Sequence, residues 1–353
     1  MRRALPPLAK KREIKALTSG WEFVTKTLHS QFSDMDGSVH CLTFKDTMKR
    51  FQKNAAVMGG CVLLVLNLAT STRAGLLAYE PFDYTAGSAL TGQTGGFGFS
   101  DAWSTSAGTA IIQAPGMNYP GLPTLGGTLY IEGTAGASPN GSVAIFRTLA
   151  SPRGDDGTTT WISFLHIRTG QKSGTFGPDG GPSYLRPVNF SLFNSTLASG
   201  QERLAIGEGT RNTGATLPDT DVWGLVERGG VNNPLTSWTT APLDVESWAV
   251  VRIDHGADNL DTAWLWVNPG TDSEPSIATA MATMTGIDLA FNRIRPFAGN
   301  PTTQSENIGA QGLMDEIRIG TTWADMLLVP EPSSLSLLAV GGLALLLRRR
   351  TKA

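Results

Sequence analysis

The chain has 353 residues, with 28 Lys and Arg against 30 Asp and Glu for a formal net charge of −2, and only two cysteines. That total hides an uneven distribution: between Gly75 and Val329 there are 24 acidic against 12 basic residues, a balance of −12, and Lys172 is the only lysine. An acidic body repels phosphate backbones and argues against nucleic acid as a partner, while both cysteines, Cys41 and Cys61, lie ahead of it and leave it no disulfide.

Residues 1–47 carry charge without a sustained apolar period and are assigned no fold, either as a long leader or as sequence upstream of a start at Met48. From Met48 the pattern changes. Arg50 and Lys53 precede an apolar run from Ala55 to Ala69, and Thr72-Arg73-Ala74 sets small residues at −3 and −1. This is the plan of a secretory signal peptide over residues 48–74, with cleavage expected after Ala74.

The next 254 residues, 75–328, hold no helical period over three turns. Short β-rich runs bounded by Gly, Pro, Asn, Asp and Thr recur instead: Leu76–Tyr84, Ser142–Ala150, Thr158–Arg168, Pro187–Asn194, Val222–Arg228, Val245–Asp254, Thr262–Asn268, Ile287–Phe297 and Leu313–Gly320. They predict an all-β fold, a single jelly-roll or β-sandwich domain. Only His166 and His255 of the four histidines fall here, and no His-x-x-His or Cys-x-x-Cys pattern suggests a transition metal. The opening Leu77-Ala78-Tyr79-Glu80-Pro81-Phe82-Asp83-Tyr84, then Gly92-Gln93-Thr94-Gly95-Gly96 and Ala102-Trp103, resembles the start of concanavalin A-like (laminin-G-like) jelly rolls. The close, Gly312–Gly320 with Trp323, resembles their last strand. The resemblance implies that the two ends pair in one sheet.

Within the body Asp315 is the most informative residue. Unbroken alternation would put Leu313, Asp315, Ile317 and Ile319 on one face and Met314, Glu316 and Arg318 on the other. A carboxylate on an apolar face must accept hydrogen bonds, here expected from the first strand, or bind a hard cation such as a structural Ca²⁺. Trp264 and Trp266 share a strand face opposite Leu265 and Val267, and either pack in the core or form a surface for sugar stacking. Trp161, Trp223, Trp238 and Trp248 read as core or loop anchors. The retaining glucanases of this fold need two carboxylates about 5–5.5 Å apart, and no Glu-x-Asp-x-Glu run supplies them; Gly-x-Ser-x-Gly is absent too. The expectation is therefore a protein that is not an enzyme.

The tail has three parts. Val329-Pro330-Glu331-Pro332 is a stiff extended strap, Leu335–Leu347 is an apolar stretch with Gly341-Gly342 inside it, and Arg348-Arg349-Arg350 is a basic stop. A helix from Ser333 to Leu347 would reach about 22 Å, short of the ~30 Å hydrocarbon core, which suits a temporary anchor. These elements, over residues 329–353, resemble the PEP-CTERM sorting signal of Gram-negative biofilm-forming bacteria. The resemblance implies recognition of Pro330, Glu331 and Pro332 by an exosortase, transient inner-membrane anchoring, and delivery to the cell surface, outer membrane or extracellular matrix. It leads to an exported, non-catalytic structural or adhesive protein. The alternatives are a carbohydrate-binding module of the exopolysaccharide matrix and a divergent glycoside hydrolase.

Overall fold

The computed structural model describes residues 75–105, 108–133, 142–170, 187–195, 201–207, 222–227, 236–299 and 309–328. Backbone contacts divide the chain into units 1–69 and 70–353, and every described residue belongs to the second. Ala74, Pro330, Glu331, Pro332 and Arg348–Arg350 lie outside the described residues, as do the apolar runs of leader and tail.

Among the described residues, fifteen strands make two antiparallel sheets. In chain order they are β1 (Leu76–Glu80), β2 (Ser104–Thr105), β3 (Thr109–Gln113), β4 (Thr128–Glu132), β5 (Val143–Arg153), β6 (Thr159–Thr169), β7 (Val188–Phe193) and β8 (Glu202–Gly207). Then come β9 (Val222–Glu227), β10 (Thr236–Pro242), β11 (Ser247–Asp254), β12 (Asp261–Val267), β13 (Ala282–Ile287), β14 (Phe291–Ala298) and β15 (Gln311–Gly320). One sheet runs β13-β12-β11-β6-β15-β4-β3 with β1 also on β15, and the other runs β10-β9-β8-β7-β14-β5-β2. This is a jelly-roll β-sandwich, and its first and last strands pair, Leu76 opposite Gly320 and Glu80 opposite Ile317. All nine expected runs carry strands. β2, β3, β4, β8 and β10 add to them, and β13 occupies 282–287, ending where the Ile287–Phe297 run was expected to begin.

Alternate side chains sort onto two apolar layers. Ile162, Phe164, Val251 and Leu265 meet Phe190, Leu192, Ile206 and Trp223 of the opposite sheet in the main core. The other face of the same strands carries Trp161, Leu165, Trp248, Val250 and Trp266. The eight-stranded sheet is thus apolar on both sides. Its outer side is roofed by Met117 and Leu122 of the β3–β4 connection and by the 3-10 turn Trp323–Leu327. The β1 edge is finished by a glycine-rich segment that bonds Tyr79 to Phe97 in both directions at 3.0 Å. Gly96 and Gly98 there have φ of +68° and +84°, and a Cβ would meet the Tyr79 and Leu77 carbonyls at 2.3 and 2.0 Å, so only glycine fits.

A β-bulge interrupts β15. Its register against β6 shifts between Asp315 and Arg318, and Glu316 takes φ +54°. The expected unbroken alternation is corrected by it. Leu313 packs on the outer layer and Asp315 stands opposite outward-facing Leu165, while Ile317 and Ile319 join the inter-sheet core with Met314. The extra residue lets Glu316 and Arg318 both serve the outer side, beneath the roof.

The sheets are also joined by charge. Glu80 at the end of β1 is fully buried and pairs with Arg147 of β5, itself 3 % exposed. Trp103 Nε1 and Tyr84 OH each donate to the same carboxylate at 2.9 Å, and Phe82 N–H at 3.0 Å. Burial pushes the Glu80 carboxyl up, opposed by those donors and by the Arg147 charge. Removing one partner leaves a buried charge alone. Arg147→Met is expected to cost about 3–5 kcal/mol in urea unfolding, with Glu80→Gln/Arg147→Met, whose amide oxygen can still accept from Trp103, Tyr84 and Phe82, recovering part of the loss. A double variant as unstable as the single one would count against this account.

Candidate functional site

Leu265 and Val267 face the inter-sheet core, which turns Trp264 and Trp266 to the outer layer. The two then part company. Trp266 is 3 % exposed, stacks on Trp161 with centroids 5.9 Å apart and 19° between planes, and donates Nε1–H to Ser276 O at 3.2 Å. Trp323 closes the group at 5.6 Å from Trp161 and 5.5 Å from Trp248. Trp266 is therefore bound up in packing. Trp264 is half-buried, with the Arg252 guanidinium 5.6 Å from its ring centre. Arg252 in turn holds Asp254 through two 2.8 Å bonds and Glu274 at 3.3 Å.

Beside Trp266 opens a cleft of about 370 Å³, lined by Trp266, Pro269, Asp272, Ser273, Pro275 and Met281. An aromatic edge, an apolar wall and short polar groups form a surface that a sugar ring could meet. Of the other tryptophans, Trp161, Trp223 and Trp248 are buried as expected, whereas Trp238 on edge strand β10 is 47 % exposed. The core reading of Trp238 is therefore corrected, since its edge strand leaves about half of the side chain open to solvent.

Asp315 sits at the bulge, fully buried. Its oxygens accept from Met117 N–H at 2.8 Å, Glu316 N–H at 2.7 Å and, more distantly, Thr128 Oγ1 at 3.5 Å. The hydrogen-bond donors come from the β3–β4 connection, the start of β4 and the bulge, not from the first strand as expected, because the bulge turns this side chain under the roof. Burial, with the neighbouring Glu316 charge, pushes Asp315 well above the usual carboxylate range. Glu316 accepts Leu125 N–H at 2.5 Å and Tyr79 OH at 2.9 Å, and pairs with Arg318 at 2.5 Å. Burial pushes Glu316 up as well, against the pull of Arg318. N–H and O–H groups aimed at a carboxylate suit an anion. They do not suit a calcium cage, which gathers oxygen lone pairs. Among the described residues no group of three or more His, Cys, Asp or Glu is arranged to hold a metal.

A third arrangement had no signal in the sequence spacing. Thr160 Oγ1 lies 3.0 Å from His255 Nε2, and His255 Nδ1 lies 3.1 Å from Asp261 Oδ2. Asp261 also accepts Gly256 N–H at 3.0 Å and Leu289 N–H at 2.8 Å. Hydroxyl, imidazole and carboxylate stand in the order of a nucleophile relay, but all three residues are within 3 % of full burial. Without an approach to Thr160 the relay ties the ends of β6, β11 and β12 together. His166 is buried between the sheets, its Nδ1 3.0 Å from Leu313 O, so that nitrogen carries the proton. Its Nε2 has no hydrogen-bond partner among the described residues.

The comparisons with known proteins bear chiefly on the tail. Residues 328–350 match the PEP-CTERM protein-sorting motif. No curated protein matches the chain. Among solved structures, the chain is similar to an endo-1,3-β-glucanase from Streptomyces sioyaensis, at 13% identity over 69% of this chain and 94% of that one, TM-score 0.41. It is also similar to an endo-β-1,4-glucuronan lyase from the fungus Trichoderma reesei, at 11% identity over 70% and 99%, TM-score 0.40. A third is a carbohydrate esterase from the Shiga toxin-encoding bacteriophage phi24B, at 12% identity over 63% and 91%, TM-score 0.38. The chain thus carries a PEP-CTERM sorting motif behind an all-β body, which marks it for export, transient membrane anchoring and exosortase processing.

Two measurements test these environments. Trp266→Ala should cost about 3–5 kcal/mol in urea unfolding and half-buried Trp264→Ala clearly less; equal costs would contradict the packing described. Burial lowers the His166 imidazole to about 3, with the Leu313 carbonyl opposing and the Arg168 charge assisting. Because an unfolded histidine titrates near 6.5, the unfolded chain binds the extra proton between those values. Stability carried by His166 should fall as pH drops through that window, with a slope approaching ~1.4 kcal/mol per pH unit. The upward-shifted Asp315 and Glu316 act in the opposite sense, so the comparison must be with His166→Phe, whose stability should lack this component.

Proposed function

We propose that the exported body serves as a non-catalytic structural or adhesive component of the cell surface or extracellular matrix. The observation that carries this reading is the state of the outer sheet face. Here Trp161, Trp248, Trp266 and Trp323 pack on one another, and Asp315 and Glu316 lie wholly under the roof with protein donors on their oxygens. Held in that way, these two carboxylates are closed to a glycosidic bond.

A second reading, a carbohydrate-binding module of the exopolysaccharide matrix, draws support from the half-buried Trp264, its Arg252–Asp254 pair and the cleft beside Trp266. The N–H donors on both Asp315 oxygens speak against the calcium reading, and chelation gives it a separate readout.

Purified exported protein incubated with β-1,3-glucan, β-1,4-glucan and the host's exopolysaccharide is expected to release no new reducing ends. Their appearance would overturn the non-catalytic reading in favour of a divergent hydrolase. Polysaccharide pull-down that is lost in Trp264→Ala, with folding retained, would establish the binding module. Chelation is expected to leave the Tm unchanged; a drop in chelator that disappears in Asp315→Ala would place calcium at the bulge.

A further inference from the structure

The residue that follows the expected leader cleavage lies against a carboxylate that is only half used. Asp325, in the 3-10 turn after β15, is 3 % exposed. Its Oδ2 accepts Thr321 N–H at 3.0 Å, Thr322 N–H at 2.8 Å and Thr322 Oγ1–H at 2.8 Å. Its Oδ1 takes no hydrogen bond among the described residues. That oxygen lies against Gly75, where an added Cβ would stand only 2.2 Å away. Allowing about 2.5 Å between a residue's own nitrogen and Cβ, the Gly75 nitrogen lies within roughly 5 Å of Oδ1. The place is held firmly. Thr321 N–H bonds Gly75 O at 3.2 Å, Leu76 pairs with Gly320, and a Cβ on Gly320 would meet the Asp325 Cβ at 2.5 Å. Gly75, just ahead of β1, and Gly320, at the end of β15, make room for one buried aspartate.

We propose that Asp325 is the built-in counter-ion for the mature N-terminus. This rests on the reading of Ala74 as the last leader residue. Hydrolysis of the Ala74–Gly75 bond adds one water, leaves a carboxylate on the departing leader, and frees Gly75 as an ammonium with three N–H donors. An α-amine is largely protonated at neutral pH, and here it emerges beside an unused carboxylate oxygen. Leader removal then creates a charge-assisted bond that the precursor lacks. It fastens the first mature residue to the turn three residues ahead of Leu328, where the sorting tail begins. A side chain at Gly75 would displace Asp325, so the niche accepts only a glycine N-terminus.

The test uses the full chain, exported and processed, with its start read by intact mass. In a product running from Gly75 through Val329 the only amines are that N-terminus and Lys172, so acylation reports on two sites. With N-acetoxysuccinimide at pH 7, Gly75 should react about tenfold more slowly, relative to Lys172, than in Asp325→Asn, whose amide oxygen can still cap Thr321 and Thr322. Acetylation of Gly75 should lower the Tm by about 2–4 °C in the native protein and leave that of Asp325→Asn unchanged. Equal acylation rates, or an unchanged Tm on acetylating the native protein, would overturn the pairing. Should Asp325→Asn fail to fold, the acetylated native protein still decides the matter. A start other than Gly75 would instead overturn the leader reading, and the proposal with it.

Discussion

Strand β15 can hold two partners along one edge, β4 for its first half and β1 for its second, because its backbone turns left-handed at Glu316. That single inserted residue has a cost, since a non-glycine residue at positive φ is uncommon and two carboxylates become buried side by side. The cost is offset by donors from three places: Met117 and Leu125 of the roof, Tyr79 of β1, and Arg318 two residues on. The network is therefore also what fastens the roof to the sheet. Without the bulge the first strand would have no partner here, and the roof would lack the acceptors that hold its backbone.

The eight-stranded sheet is consequently an interior layer. Its strands bury both faces, so Trp161-Ile162-Ser163-Phe164-Leu165, broken only by a serine, and Trp248-Ala249-Val250-Val251 read as near-continuous apolar runs where a half-exposed antiparallel strand would alternate. Aromatic burial on the second face gives a disulfide-free body a second core. It also limits what that face offers a ligand, leaving Trp264, Arg252 and the margin beside Trp266.

Much of this architecture is readable from residue order, and the gaps have physical causes. The nine long runs are visible because β-branched and aromatic residues accumulate between turn formers. β3 and β4 escape notice because Thr-Ala-Ile-Ile-Gln and Thr-Leu-Tyr-Ile-Glu are five residues each, too short for a period to declare itself. β13, Ala-Thr-Met-Thr-Gly-Ile, carries little apolar weight. Trp264 and Trp266 fall on the expected face, yet their different exposure depends on the 268–281 connection, whose path no local pattern encodes. Asp315 stands out as a carboxylate in an otherwise apolar strand pattern, but one of its donors is Met117, 198 residues away. The Thr160–His255–Asp261 chain is assembled by strand register across 101 residues of sequence, so no spacing rule announces it.

The turn Trp323–Leu327 stands between the last strand and the sorting tail, with Trp323 wedged among Trp161 and Trp248 and Met326 wholly buried. Any tension drawn through the tail must dislodge those two plugs before it reaches Gly320. The turn thus stands as a strain relief between the sorting tail and the hydrogen-bonded ladder.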